Sequence, residues 1–243
     1  ISEGDLDTIK LQTLQFETTV SADRLSLAQA LTALRQQVGF TGLAAGYQVS
    51  GALAFQALHG NEDDYKALAL KDRPDLRAAL EGITAAESQH RLAQANGKRP
   101  LTTTFQYSHV GALNDAGFLF NMEIPLFDRN QGEIARTAAA TTQAQDQEHQ
   151  TNEQVLTDVA TAYEAVQQGA QVVGLYTSGY RAQAKQALDI RQYSYHRGAS
   201  SLLALLDAER TYRSTELGYR QSLAAYMLAI EQLKEAVGTR TLP

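Results

Sequence analysis

The sequence predicts a mainly α-helical protein that carries one β-hairpin, and three observations lead to this class. Residues 5–38 contain neither glycine nor proline, and residues 128–242 contain no proline, so both stretches can form long helices. Residues 101–127 instead alternate apolar and polar side chains with the period of a strand. Between residues 155 and 237, apolar side chains recur every seven residues. We therefore expect long antiparallel coiled-coil helical hairpins together with a pair of strands.

Composition excludes several classes of protein. The net charge of −6 and the lack of a Lys/Arg cluster argue against a nucleic-acid partner, because phosphate binding needs a concentrated basic face. The absence of cysteine excludes disulfides and thiolate zinc sites. No run of about eighteen apolar residues occurs, so we predict no transmembrane helix. The chain begins at Ile1 inside a helical pattern, and we interpret it as an N-terminally truncated fragment or processed form.

Three predicted segments precede the hairpin. Residues 1–39 form a helix that Gly39 ends as a C-terminal cap. In residues 40–72, glycines separate short alternating pieces, which predicts a small mixed region of strands and turns. Residues 73–98 form a second helix, with Pro74 in its first turn.

The predicted hairpin occupies residues 99–127, with a loop at "GALNDA" between two arms of roughly ten residues. Its second arm has one apolar face, while Asn121 and Glu123 lie on the other face. That arm length matches a strand tilted across a bilayer, but a hairpin packed on a soluble core has the same alternation, so both interpretations stay open. The apolar face comprises Phe118, Phe120, Met122, Ile124 and Leu126.

A very long helix follows directly, over residues 128–197, with Pro125 ending the strand ladder and Asp128 or Asn130 capping the helix. Nearly seventy residues at ~1.5 Å each would extend on the order of 100 Å. The first half of its heptad seam is mostly polar, which predicts a wall that faces water. The apolar second half comprises Val155, Val159, Ala162, Val166, Gly169, Val173, Tyr176, Tyr180, Ala187 and Ile190.

Residues 198–243 form the tip turn and a returning helix. Gly198 breaks the long helix, and a heptad series then runs to Val237 before Gly238 caps the chain. Shifting residues 1–39 by 199 positions aligns the first helix with this last one without a gap. Because the matches fall on seam positions and on the capping glycines, we interpret the two helices as equivalent parts of two structural repeats.

No arrangement of residues predicts an enzyme. Glu87 and His90 form one Glu-x-x-His pair on a helix, but a di-iron bundle site needs a second such pair and further carboxylates. The remaining histidines have no ligand spacing to one another, so we expect no bound metal and no cofactor. They are His59, His109, His149 and His196.

The order of motifs resembles the TolC family of outer-membrane efflux channels. The matching segments are "RPDL", a hairpin that ends in "IPLFDRNQGEIAR", a very long helix, "YSYHRG", "LLALLDAERTY" and "LAIEQLKEAVG". The segment "PLFDRNQGEIAR" is most similar to the corresponding segment of the heavy-metal-efflux branch, the CzcC-like proteins. The resemblance implies a homotrimer with a twelve-stranded outer-membrane β-barrel, an α-barrel tunnel across the periplasm, and a small mixed equatorial region at residues 40–72. Each full protomer would supply four strands, of which this sequence contains two.

The resemblance also implies a function and partners. The protein would be the outer-membrane component of a tripartite efflux system, a passive exit duct for cations or small toxic compounds. Its partners would be outer-membrane lipid, a periplasmic adaptor (membrane fusion protein) and an inner-membrane efflux pump. Two other classes remain open from the residues alone, namely a periplasmic adaptor and a soluble helical-bundle scaffold.

Gate residues follow from the resemblance as well. In the family, an Asp and a Tyr hold the closed entrance with an Arg nearby, and an acidic ring narrows the pore. The matching positions here are Asp5, Tyr195 and, for the ring, Asp207. Ser200 and Ala204 replace the family's Arg and second ring Asp, and Arg197 is the nearest cation. The alternative for Asp207 is a residue at the start of a helix that interacts with the helix dipole. The predicted adaptor contact is the tip turn, His196, Gly198, Ser200 and Ser201.

Overall fold

The computed structural model describes residues 3–44, 46–51, 53–98, 101–122 and 127–242, apart from the side chain of Asp5. It confirms a mainly helical chain with one antiparallel pair of strands. No helix in these ranges is both long and apolar enough to cross a membrane. The elements are α1 (Glu3–Val38), α2 (Glu62–Asp72), α3 (Pro74–Asn96), β1 (Leu101–Val110), β2 (Leu113–Met122), α4 (Gln131–Leu175), a π-helical turn (Tyr176–Tyr180), α5 (Arg181–His196) and α6 (Leu202–Val237).

The chain divides into two compact units. Unit 1 comprises Ile1–Phe55 and Gly174–Leu223, and unit 2 comprises Gln56–Val173 and Ala224–Pro243. Their boundaries fall between Phe55 and Gln56, inside α4 just before the π-helical turn, and inside α6.

Helices α1 and α6 have matching bounds. Each contains 36 residues, and their first and last residues differ by the 199 positions found in the sequence. Gly39 and Gly238, which follow them, have φ angles of 101° and 78°, a region that costs glycine little. At Gly238 the amide donates to the Glu235 carbonyl and the Thr239 amide donates to the Lys234 carbonyl, which is a Schellman motif.

The core of unit 2 is the seam between α4 and the C-terminal part of α6. Val155, Val159 and Val166 are fully buried, as the heptad pattern predicts. Leu233 and Val237 of α6 are fully buried in the same unit. Burying each such side chain contributes about 1.5–3 kcal/mol, so this apolar seam stabilises unit 2 substantially.

Gly169 lets the two helices of this seam approach closely. A Cβ atom at Gly169 would lie 3.3 Å from the Cα atom of Tyr226, which is backbone and cannot move aside alone. We predict that Gly169→Val lowers the free energy of unfolding by ~1–2 kcal/mol through overpacking. The control is Gly82→Ala in α3, where nothing lies within 4 Å of the new Cβ. That change should raise stability by ~0.5–1 kcal/mol, and urea titration measures both. Equal effects at the two glycines would contradict the close approach.

The prediction of small strands in residues 40–72 is wrong where the structure describes them. Residues 62–72 form helix α2, and the described remainder contains no strand. The Asn61 side chain accepts a hydrogen bond from the Asp64 amide at 2.8 Å, and Asp64 reaches back to the Asn61 amide. This capping box, with acidic residues in the first turn, starts a helix that the apolar spacing did not indicate.

The hairpin has a tighter turn than the sequence indicated. Leu113 already pairs with Val110, so Gly111 and Ala112 alone connect the strands and the predicted "GALNDA" loop is too long. Gly111 has a φ of 64°, which a type II′ turn requires at its first central position.

Helix α4 begins three residues later than predicted, at Gln131. Asn130 has a φ of 61°, and its carbonyl accepts the first helical hydrogen bond from Ile134 at 3.0 Å. The Asp128 side chain accepts from the Asn130 amide at 2.9 Å, while the Asn130 side chain donates to the Ala93 carbonyl of α3 at 2.8 Å. The two candidate caps therefore shape the approach to the helix and tie it to α3. Pro125, the predicted end of the ladder, lies outside the described residues.

Candidate functional site

The two faces of the hairpin differ sharply in polarity. Residues directly opposite one another lie on the same face, so the register places Phe105 with Phe118 and Thr103 with Phe120. The opposite face is mostly polar, and its apolar side chains are Leu119 and, next to the turn, the pair Val110 and Leu113. On the aromatic face the large side chains are exposed by 60% or more: Leu101, Phe105, Tyr107, Phe118, Phe120 and Met122.

The aromatic face becomes polar toward the turn. The Phe105 and Phe118 rings pack with centroids 5.0 Å apart. Nearer the turn, the Tyr107 hydroxyl donates to the Asn114 side chain at 3.0 Å, and the ring of His109 bonds to the same amide oxygen. Large apolar side chains that are exposed together on one face are typical of a contact with lipid or protein. The order of apolar band, tyrosine and polar end is that of a strand leaving a bilayer through its interface.

The tip between α5 and α6 is a compact capped turn. The Gly198 amide donates to the Tyr195 carbonyl and the Ala199 amide donates to the Ser194 carbonyl, both at 2.9 Å. This Schellman motif ends α5, and Gly198 has the positive φ of 73° that it needs. The Ser201 hydroxyl then accepts from the Ala204 amide at 3.3 Å and caps α6.

The predicted gate residues occupy different environments. Tyr195 is half-buried, and Asp207 is exposed. Arg197 lies over the Tyr193 ring, with its guanidinium carbon 5.3 Å from the ring centre. The Asp5 side chain lies outside the described residues, so the Asp5–Tyr195 contact remains a prediction.

Two further features of the tip concern Asp207 and Ser200. Helix α6 begins at Leu202, which places Asp207 in the second turn, and the helix-start alternative for this carboxylate is therefore wrong. The Ser200 hydroxyl is buried and has no hydrogen-bond partner among the described residues. His196 and Gly198 are exposed at the surface of the turn.

The long helix is interrupted by the π-helical turn, so the prediction of one unbroken helix over residues 128–197 is wrong. The Arg181 amide donates to the Tyr176 carbonyl, five residues back. Gly179 has φ 148° and ψ −19°, which no other residue type adopts readily. The Thr177 and Ser178 hydroxyls donate to the Gly174 and Leu175 carbonyls, both at 3.2 Å.

The predicted seam fails from the last residue of this turn onward. Tyr180 and Ile190 are 51% and 56% exposed, and Ala187 is exposed as well. Ala184 is buried instead, with Arg181 and Leu188 half-buried. Heptad counting missed this because a π-turn adds one residue and displaces every later position by one.

A charged clamp braces α5 against α6 beside the π-turn. Arg181 donates two hydrogen bonds to the Glu216 carboxylate, at 2.8 and 2.9 Å. Its guanidinium also lies 4.1 Å from the centre of the Tyr219 ring. Gly218 forms a notch for Tyr176, because a Cβ there would lie 2.5 Å from the Tyr176 hydroxyl. The hydrogen bonds from Arg181 lower the pKa of Glu216. No spacing signal marked this pair in the sequence.

A second clamp, in unit 2, joins three helices through Arg73. Its guanidinium donates two hydrogen bonds to Asp75, at 3.0 and 2.6 Å, and one to Asp158 of α4 at 3.0 Å. It also donates to the Ala236 carbonyl near the end of α6 at 3.1 Å. The hydrogen bonds from Arg73 lower the pKa of Asp75. A sequence signal was present, because Arg73 and Asp75 flank the helix-starting Pro74.

The Glu-x-x-His pair has a structural role at its histidine. His90 Nδ1 lies 3.0 Å from the Thr137 hydroxyl, and Gln94 Nε2 lies 2.8 Å from His90 Nε2. Since the Thr137 hydroxyl also lies 2.8 Å from the Glu133 carbonyl, it donates there and accepts from Nδ1. Both ring nitrogens thus have partners inside unit 2. No group of three or more potential metal ligands occurs among the described residues.

Comparisons with solved structures identify the fold. A membrane protein from Pseudomonas aeruginosa superimposes with a TM-score of 0.81 at 19% identity, over 98% of this chain and 57% of that one. The outer membrane protein VceC from Vibrio cholerae gives 0.79 at 22% identity, over 98% and 59%. The open-state MtrE outer membrane channel of Neisseria gonorrhoeae gives 0.71 at 20% identity, over 95% and 56%. The chain therefore spans less than two thirds of each of these proteins.

Sequence comparison identifies the family. No curated protein matches the chain by sequence. The family model described as outer membrane efflux protein matches residues 67–239, which is more than two thirds of the chain and includes the hairpin, α4, the π-turn, α5 and α6. The chain belongs to the outer membrane efflux protein family.

Proposed function

We propose that the protein is the outer-membrane channel-tunnel of a tripartite efflux system. Three full-length protomers, each supplying four strands, would close a twelve-stranded barrel, with β1 and β2 in its wall and the long helices forming a periplasmic tunnel. The observation that carries this proposal is the aromatic face of the hairpin, whose side chains are exposed by 60% or more along most of both strands. Such a face is stable in hydrocarbon and costly in water.

The proposed partners, a pump and an adaptor, are those that a passive duct requires. A passive duct supplies no energy of its own, so an inner-membrane pump would drive export and a periplasmic adaptor would join pump to channel. The capped tip turn, with His196, Gly198, Ser200 and Ser201, is the proposed adaptor contact. The "PLFDRNQGEIAR" segment supports the CzcC-like branch, with cations among the cargo.

Conductance across planar bilayers tests the gate in the full-length protein. We expect low basal conductance in the wild type and a several-fold rise for Asp5→Ala and for Tyr195→Phe, because each removes one partner of the proposed latch. Arg191→Gln on the exposed surface of α5 is the control and should leave conductance unchanged. If both latch variants stay as tightly closed as the wild type, the latch is refuted.

Asp207 gives a second, separate readout. Three carboxylates around a threefold axis would favour cations in the pore. We expect Asp207→Asn to reduce the cation-over-anion permeability ratio without closing the channel. An unchanged permeability ratio would contradict the assignment of Asp207 to the pore.

A further inference from the structure

The π-turn determines which side chains of α5 face inward, and two alternative registers are available to this helix. In the observed register the inward positions are Arg181, Ala184 and Leu188. A regular helix continuing from Val173 would instead turn Tyr180, Ala187 and Ile190 inward. Both series carry apolar side chains, so either could pack against α6. Exchange between them requires only that the one extra residue be held in the π-turn or released from it.

The sequence of the turn stabilises the π state locally. Gly179 supplies a φ of 148° that a residue with a side chain would adopt only with strain. The carbonyl oxygens of Gly174 and Leu175 accept hydrogen bonds from the Thr177 and Ser178 hydroxyls. Backbone acceptors at the distorted turn therefore keep partners, and the π-turn is a defined conformation of this segment.

The observed register is also held from α6. The two hydrogen bonds from Arg181 to the Glu216 carboxylate require the phase that the π-turn gives to α5. One residue of rotation turns a helix by about 100°, which would carry the Arg181 side chain away from Glu216. In the observed register, Tyr180 and Ile190 are more than half exposed. Burying their apolar surface would favour the alternative register.

We propose that the π-turn is a register switch for α5, locked by Arg181 and Glu216. Releasing the lock converts the turn to regular α-helix and rotates α5 by one residue, bringing Tyr180, Ala187 and Ile190 against α6. The rotation moves Tyr195 and Arg197 around the helix axis at the tip. That last consequence, a change in gating, rests on the proposed channel function, whereas the change of register does not.

Thiol alkylation measures the register directly, because these 243 residues contain no cysteine. Ala184→Cys and Ala187→Cys are introduced separately into the full-length protein, with any cysteine outside these residues replaced by serine, and each variant is treated with a maleimide. In the observed register the thiol at position 187 should react about tenfold faster than the thiol at position 184, because residue 184 is buried and residue 187 is exposed. Adding Glu216→Gln removes the lock and should bring this ratio of rates to unity or below.

Two variants of Gly179 make the test specific. Gly179→Ala disfavours the π-turn while keeping Arg181 and Glu216, and it should shift the ratio in the same direction as Glu216→Gln. Deleting Gly179 removes the extra residue, so Arg181, Ala184 and Leu188 keep their inward positions in a regular helix. In that deletion background Glu216→Gln should no longer change the ratio.

The outcomes separate the two proposals. A tenfold ratio that survives both Glu216→Gln and Gly179→Ala overturns the register switch. A reversed ratio that accompanies increased conductance supports both the switch and its role at the gate. A reversed ratio in a protein that conducts in no variant supports the switch and contradicts the channel function.

Discussion

Phe118→Arg is expected to lower the free energy of unfolding of the membrane-inserted protein by ~2–4 kcal/mol. Phe118 pairs with Phe105 in the fifth of the ten registered pairs of the hairpin, halfway along both strands. If the strands cross a bilayer, this pair lies near its midplane, where a guanidinium is most costly. Urea titration of the protein folded into lipid vesicles, followed by circular dichroism, measures the change.

The matched control is Gln106→Arg, one position along β1 and on the opposite face. Gln106 pairs with Gly117, so an arginine there has room and would project toward the water-filled side of the proposed barrel. We expect a change within ~0.5 kcal/mol. Equal costs for arginine on the two faces would contradict a hairpin with one face in lipid.

Arg73→Met is the second change with a large expected effect. It removes both hydrogen bonds to Asp75, the ion pair with Asp158 and the donor to the Ala236 carbonyl. Breaking a fully buried charge pair costs ~3–5 kcal/mol, but here the carboxylates are 47% and 36% exposed and keep contact with water. We therefore expect a loss of ~2–3 kcal/mol. The control is Arg77→Met at an exposed position of α3, which should stay within ~0.5 kcal/mol of the wild type.

Acid pH provides a further check on this clamp. Because Arg73 lowers the pKa of Asp75 below its ordinary value of 3.8, the pair stabilises the folded state in full above that pH. The contribution is lost as the pH falls through the lower pKa of the folded state. The stability gap between wild type and Arg73→Met should thus be widest near neutrality and should narrow below about pH 3.8. A gap that is independent of pH would show that packing of the arginine stem, rather than its charge, matters.

Periodicity predicted the parts of the fold in which one residue pattern persists. The heptad valines Val155, Val159 and Val166 are buried as expected, and the hairpin strands occupy the predicted arms. The end of helix α6 could be predicted from sequence because Gly238 follows its last residue, and the structure gives this glycine a positive φ. In these segments local preference and tertiary packing favour the same structure.

The parts that sequence did not predict depend on contacts between distant residues or on a local insertion. Helix α2 begins with a capping box, which a search for hydrophobic spacing does not detect. The π-turn displaces the seam by one residue, so Tyr180, Ala187 and Ile190 were assigned inward positions that Arg181, Ala184 and Leu188 hold. The Arg73 and Arg181 clamps join residues 85 and 35 positions apart, which no local pattern encodes.

Quenching of a single tryptophan by brominated lipid tests the central claim most directly, that the aromatic face of the hairpin borders the bilayer. These 243 residues contain no tryptophan, so Phe118→Trp and Gln106→Trp each add one reporter to them; any tryptophan elsewhere in the full-length protein is first replaced by phenylalanine. In vesicles of lipid brominated along the acyl chain, fluorescence should be strongly quenched at residue 118 and nearly unchanged at residue 106. Equal quenching at the two positions, or none at residue 118, would contradict that claim.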